Sequence, residues 1–258
     1  MEFKIRIDGI EGVKTMLNNL SQKQIPYATA LALTRTAQDV KQAEYAEMQK
    51  VFDRPTPYTL QSLYLKPATK QNLESMVYFK DFAGKGTPAK KFLPPEIHGG
   101  ERRLKRFESA LKRIGILPDG RYVTPGSACP LDAYGNIPGS FIVQILSYFR
   151  AFGEQGYRAN ITPKKKQKLK AGTKRNRGYE YFVSYGKGTW SGRQHLPPGI
   201  YKRTGFAWGS SVKPIFMFVR KPAYKPRFRF YELAKEITNK KFIPNLSLAL
   251  HEAKETAR

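Results

Sequence analysis

The sequence predicts an α+β fold, with terminal helices packed on a mostly antiparallel β-sheet and a loop-rich insertion between them. Three observations carry this. Apolar residues recur at helical spacing near the N-terminus and again from Arg229 onward. Between those stretches, short runs alternate apolar and polar side chains, the period of half-buried strands. Prolines and glycines are dense in one part of that middle region.

Taken in order, Phe3, Ile5 and Ile7 alternate with Lys4, Arg6 and Asp8, which predicts a strand with one buried face, ended by Gly9. Ile10, Val13, Leu17 and Leu20 then predict a short amphipathic helix. A longer helix is expected from about Ile25 to Phe52. Ala30, Leu33, Ala37 and Val40 repeat at three and four, and Met48 and Val51 resume the stripe. Pro26 suits its first turn, and Asp53-Arg54-Pro55-Thr56-Pro57 stops it.

Strand signals follow at Leu63 to Leu65 and from Met76 through Tyr78 to Phe82, with a turn at Gly84 to Pro88. From Pro94 to Pro138 the texture changes, with one helix expected from Glu101 to Ile114. The apolar content there is too low for an independent core. The expected organisation is therefore one domain, 1–93 with 137–258, carrying 94–136 as an insertion.

An apolar stretch runs to about Phe152. Residues 163–177 carry eight Lys or Arg and almost no hydrophobe, which reads as a loop or hairpin tip. Tyr179 to Tyr185 is an aromatic strand, turned by Gly186-Lys187-Gly188. Ile215 to Val219 is another, between Pro214 and Pro222. Phe230, Leu233, Ala234 and Ile237 share one face of a helix that Asn239 and Pro244 are expected to break, and Leu246 to Ala257 forms a last helix.

Charge is the compositional outlier. Among 258 residues, 46 Lys and Arg face 20 acids, a net charge of +26. Such a chain repels itself when compact and calls for a polyanion or acidic partner. Nucleic acid, an anionic membrane surface and an acidic protein are the three classes, and composition does not rank them. A 40% hydrophobic content with 16 Phe and 15 Tyr excludes a wholly disordered basic protein. One cysteine, Cys129, excludes an intramolecular disulfide and a cysteine-based zinc site. The N-terminus does not read as a signal peptide, and no apolar run reaches the ~18 residues of a membrane span. The expectation is synthesis in a reducing cytoplasm with no membrane partner.

Nothing in the sequence assembles a catalytic constellation. His98, beside Gly99-Gly100-Glu101, lacks a companion motif, and His195 and His251 lie far from it. Ser127 and Ser140 lack the setting of a nucleophile elbow. The Gly-Lys-Gly-Thr pieces at 84–87 and 186–189 lack the first glycine of a phosphate loop. The expectation is a non-enzyme with no catalytic residue, no metal and no cofactor. The binding residues are sought in the basic clusters instead. Lys164, Lys165, Lys166, Lys168, Lys170, Lys174, Arg175 and Arg177 could track phosphates without reading bases, or pair with an acidic subunit, or simply be solvated. Arg102, Arg103, Lys105 and Arg106, with Lys112 and Arg113, form a second cluster on the expected insertion helix. The aromatics at 179–185 and 228–231 read as core rather than as base-stacking platforms.

Three blocks carry a resemblance. The first is Gly9-Ile10-Glu11-Gly12-Val13 through Leu20-Ser21 and then Ile25 to Ala37. The second is Ile137-Pro138-Gly139-Ser140-Phe141-Ile142. The third is Phe242-Ile243-Pro244-Asn245-Leu246 with Ala249-Leu250. In this order they resemble the minor tail protein Z, or tail-completion, family of lambda-like phages, related to head–tail joining proteins. The region from Pro94 to Pro138 has no counterpart there. The resemblance implies a structural virion protein made in the host cytoplasm. It would form a homo-oligomeric ring that joins or seals the tail to the head around the DNA channel. Its neighbours would be other neck or tail proteins, such as a tail terminator or connector, and the phage DNA. Ring contacts are expected from the terminal helices, at Ala30, Leu33, Ala37, Phe230, Leu233 and Ile237, and from the sheet edge. The alternative is a free, sequence-nonspecific nucleic-acid-binding protein, and assembly rather than phosphate contact separates the two.

Overall fold

The computed structural model describes residues 1–6, 24–84, 86–186 and 195–255. The short helix expected around Ile10 to Leu20 and the turn at Lys187-Gly188 lie outside them. The main elements are β1 (Glu2–Arg6), α1 (Gln24–Val51), β2 (Leu63–Lys66), β3 (Glu74–Phe79), α2 (Arg106–Arg113), β4 (Arg121–Pro125), α3 (Gly139–Tyr148), α4 (Pro163–Ala171), β5 (Tyr179–Ser184), β6 (Gly199–Phe206), β7 (Gly209–Arg220) and α5 (Phe230–Glu255). Short helical turns link several of them. The α+β class holds, with the terminal helices packed on an antiparallel sheet. Among the described residues no helix is long and apolar enough to cross a membrane.

The chain forms two compact units, Met1–Gly100 with Tyr224–Arg258, and Glu101–Ala223. This differs from the expected single domain with an insertion at 94–136. Most of that segment belongs to the second unit, where Phe107, Leu111, Leu117 and Val123 are core residues. Its own apolar residues are few, but the strands that complete the core arrive from as far along the chain as Phe218. A composition window cannot register partners that distant.

In the first unit the sheet order is β1-β3-β2, antiparallel throughout, with Phe3 opposite Val77 and Leu65 opposite the same residue. Alternation puts Ile5, Leu63, Val77 and Phe79 on the buried face. Against it pack Leu33, Ala37, Val40 and Met48 of α1 and Phe230 and Ala234 of α5. The two helices run antiparallel. Ala28 and Ala32 meet Ala249 and Ala253, small side chains that let the backbones approach, while Phe52 reaches Phe228 at the far end.

Helix α5 corrects the expected break at Asn239 and Pro244, since it is continuous across both. An interior proline costs about 3 kcal/mol by removing one hydrogen bond and crowding the preceding turn. Here the helix is buried on α1 on both sides of the proline, at Phe230 and Ala234 before it and Ala249 and Ala253 after it. Beside the proline, the Asn245 amide donates to Thr36 Oγ1 at 3.1 Å and to Asp39 at 2.9 Å. Tertiary packing overrides the local breaker.

The same packing removes four of the six expected ring contacts from the surface. Ala30, Leu33, Ala37 and Phe230 are buried within the unit, and Ile237 packs half-buried against the same core. Leu233 is half-buried. The apolar stripe that seemed free for a neighbour is used inside the fold.

In the second unit the order is β4-β7-β6-β5, again all antiparallel. Helices α2 and α3 cover one face. Ile145, Leu146 and Tyr148 of α3 pack with Tyr181, Ile200, Phe216 and Phe218. Helix α2 spans Arg106–Arg113, shorter than the expected 101–114, so Arg102, Arg103 and Lys105 precede it.

Candidate polyanion-binding surface

The basic run at 163–177 is a helix and a turn, not an open loop. Thr162 caps α4 by accepting the Lys165 N–H at 3.3 Å, and Pro163 occupies its first position. Lysine is a good helix former, so charge repulsion is the only local objection. After α4 the chain folds back at once, and Gly172 bridges Arg177. A side chain at Gly178 would sit 2.0 Å from the Lys170 carbonyl oxygen, so this close approach requires glycine. Gly178→Ala is expected to open the turn and lower the unfolding midpoint of the second unit, read by denaturant titration.

Helix α4 buries no residue of its own. It lies along the edge strand β5, holding on through half-buried Leu169 and through Lys166, whose ammonium sits 4.3 Å from the Tyr148 ring centre. A charged helix over an exposed strand edge also blocks unwanted strand pairing. The remaining cations point outward. Among the described residues, Lys164, Lys165, Lys168, Lys174 and Arg175 are exposed and have no acidic partner. Glu180 is the single acid between 163 and 213. It is already taken: Lys170 lies 3.0 Å away and Arg203 3.2 Å. The Lys170 hydrogen bond, with Arg203 beside it, holds its carboxyl below the usual value.

Cations and aromatic rings pair across this surface. Arg177 lies 4.5 Å from the Phe206 ring centre, Lys202 4.3 Å from Tyr179 and Arg203 4.6 Å from Phe182. Beyond the last pairing of β5, at Tyr179 opposite Thr204, strands β6 and β7 continue alone to a two-residue turn, Ala207-Trp208. Trp208 is 100% exposed there and Phe206 45%.

The second expected cluster is divided. Arg102 is bound inside the unit. Its guanidinium donates to both carboxylate oxygens of fully buried Glu108, at 2.7 and 2.6 Å, and lies 4.7 Å from the Tyr122 ring centre. Glu108 also accepts the backbone N–H groups of Lys105 and Val123, at 2.6 and 2.8 Å. Lys112 pairs with Asp119, and Arg113 donates to the Ala151 carbonyl. Arg103, Lys105 and Arg106 are exposed.

Two features escaped the sequence reading. Trp208 sits at a hairpin tip that its neighbour Gly209 could have signalled. Glu44 is fully buried in α1, and neither carboxylate oxygen has a hydrogen-bond partner. The signal was the gap between Val40 and Met48 in the apolar stripe, which Glu44 fills. Burial first, then the nearby Glu47 and Glu232, push its carboxyl up to about 9.

Chemistry-bearing groups elsewhere stay apart. His98 faces Tyr231, with ring centres 6.0 Å apart, and His251 lies 3.5 Å from Glu255. Burial raises the Cys129 thiol. Among the described residues no three His, Cys, Asp or Glu side chains are grouped to hold a metal ion. An open depression of about 430 Å³ in the first unit, between Met1, Tyr78, Asp81, Lys90 and Tyr231, is lined by ordinary surface groups. No protein-family model, no curated protein and no solved structure matches the chain.

Proposed function

We propose that the protein is a non-catalytic virion subunit of the tail-completion kind, which joins or seals a phage tail to its head around the DNA channel. The observation that carries this reading is where the family-like blocks fall. Ile25 to Ala37 lies in α1 and Phe242 to Leu250 in α5, more than two hundred positions apart, yet they pack on each other. Arg35 of the first block donates to Glu252 just beyond the third at 3.0 and 2.9 Å, and Asn245 of the third reaches Thr36 of the first. Parts of the first and third blocks thus meet in one structural joint, while the second, Ile137 to Ile142, leads into α3 of the other unit. The net charge of +26 supports it further, because a ring of such subunits is tolerated only beside DNA or acidic neighbours.

Since the apolar stripe of α1 and α5 is internal, ring contacts in this reading come from the outer faces of those helices and from strand edges. Imaging of purified particles tests it, with density for this chain expected at the neck. Its absence from purified virions sinks the reading. Replacing Lys164, Lys165, Lys168 and Lys174 together with Gln is expected to change folding stability by less than about 0.5 kcal/mol per site, because exposed charges contribute little. Particle yield or titre is expected to fall. Normal titre would reduce this surface to a solvated face.

A further inference from the structure

We infer that the β6–β7 hairpin and the basic turn beside it form a docking site for a single-stranded nucleic-acid segment, with Trp208 stacking on a base and the neighbouring cations on phosphates. The inference goes beyond the reading above, which needs only a duplex passing a positive surface.

Charge comes first. From 163 to 213 the one acid, Glu180, is neutralised by Lys170 and Arg203. Lys174 and Arg175 stand exposed in the turn, and Arg177 at its end stacks on Phe206 in the hairpin. A phosphate chain is complementary to such a strip, and binding it releases counterions.

Shape comes second. The hairpin protrudes past its neighbouring strand and ends in a wholly exposed indole. Apart from Phe206, which is 45% exposed under Arg177, its flanks are polar or small: Thr204, Gly205, Ser210 and Ser211. One wholly exposed ring, with Phe206 half covered by Arg177 beside it, is too little apolar surface to enter a lipid interface, which takes a broad apolar face. It also gives an incomplete core for a protein partner, whose anchors cluster in a desolvated patch. An exposed flat ring beside cations suits a base face, where stacking supplies the affinity and any base serves. The ring needs an unstacked base, hence a single strand.

The test uses the full chain, a twenty-nucleotide oligothymidylate, inorganic polyphosphate and vesicles of phosphatidylserine with phosphatidylcholine. Oligothymidylate is expected to quench tryptophan fluorescence in the parent, and Trp208→Phe to remove most of that change without touching Trp190. Trp208→Ala is expected to weaken oligothymidylate binding about tenfold while leaving polyphosphate binding unchanged. Lys174→Gln with Arg175→Gln is expected to weaken both and to flatten the salt dependence. Equal affinity of Trp208→Ala and parent for oligothymidylate overturns the inference. So does a Trp208 response to vesicles alone. Because Trp208 is fully exposed, its variants fold. The particle test is separate: absence from virions removes the neck reading and leaves this site standing, whereas loss of stacking does the reverse.

Discussion

Replacing Glu44 with Met is expected to raise the stability of the first unit at pH 8, and to raise it little at pH 4. The side chain lies on the inner face of α1 between Val40 and Met48, fully buried, with both oxygens unpartnered. Burial and the nearby Glu47 and Glu232 push its carboxyl from 4.5 up to about 9. The folded state therefore holds a proton that the unfolded state releases. Stability is fully present below pH 4.5, falls as pH rises from there, and has lost the whole contribution above about 9. At neutral pH the accumulated loss is about 3 kcal/mol, from 1.36 kcal/mol per pH unit between the unfolded value and 7. Methionine matches the volume, removes the ionisation and adds apolar burial. Hydrogen exchange of peptides from 24–51 during denaturant titration follows α1 directly. Glu44→Gln is the control, with the same shape and no titration, and should flatten the pH dependence. A parent whose stability is level from pH 5 to 9, or a Met variant weaker than the parent at pH 8, contradicts this account.

Glu44 also shows what was legible in the sequence. The helix at 24–51 was readable because its apolar residues keep a period of 3.6 over several turns, whereas the burial of Glu44 in that stripe was not read. The strands at 63–66, 74–79 and 179–184 were readable from alternation. What failed depended on distant partners. Pro244 is a local breaker, and packing on α1, together with the Asn245 bonds to Thr36 and Asp39, overrules it. The helix at 163–171 is marked by the Thr162-Pro163 start signal and lysine's own helix propensity, and the density of like charge hides both. Arg102 departs from its expected role for a related reason. Charge counts treat all cations alike, whereas Arg102 faces a buried carboxylate. The Glu at the third helical position, Glu108, was a readable capping signal. Its pairing with Arg102 was not, since it needs β4 to bring up Val123.

Removing either member of the Arg102–Glu108 pair is expected to cost the second unit about 3–5 kcal/mol, because it leaves a buried charge or its donors without a partner. Glu108→Ala strips an acceptor from Arg102 and from the N–H groups of Lys105 and Val123 together. Arg102→Ala leaves a carboxylate with zero exposure and only backbone donors. Burial alone would raise the Glu108 carboxyl, but Arg102 and those two N–H groups outweigh it and hold it below the usual value. The sign is thus opposite to that of Glu44. This contribution is present above the unfolded value of 4.5 and is lost as pH falls through the lower folded value. The first unit should weaken toward alkaline pH and the second toward acid. Hydrogen exchange of peptides from 101–125 and from 24–51 separates the two trends in one protein. The same variant divides structural from binding cations. Arg102→Ala should lower the unfolding midpoint and, under conditions where the unit stays folded, leave oligothymidylate affinity as in the parent. Lys174→Gln with Arg175→Gln should do the reverse. If Arg102→Ala weakens binding as much as the Lys174 and Arg175 pair does, then the basic cluster at 102–106 belongs to the binding surface after all, and the division drawn from its buried partner is wrong.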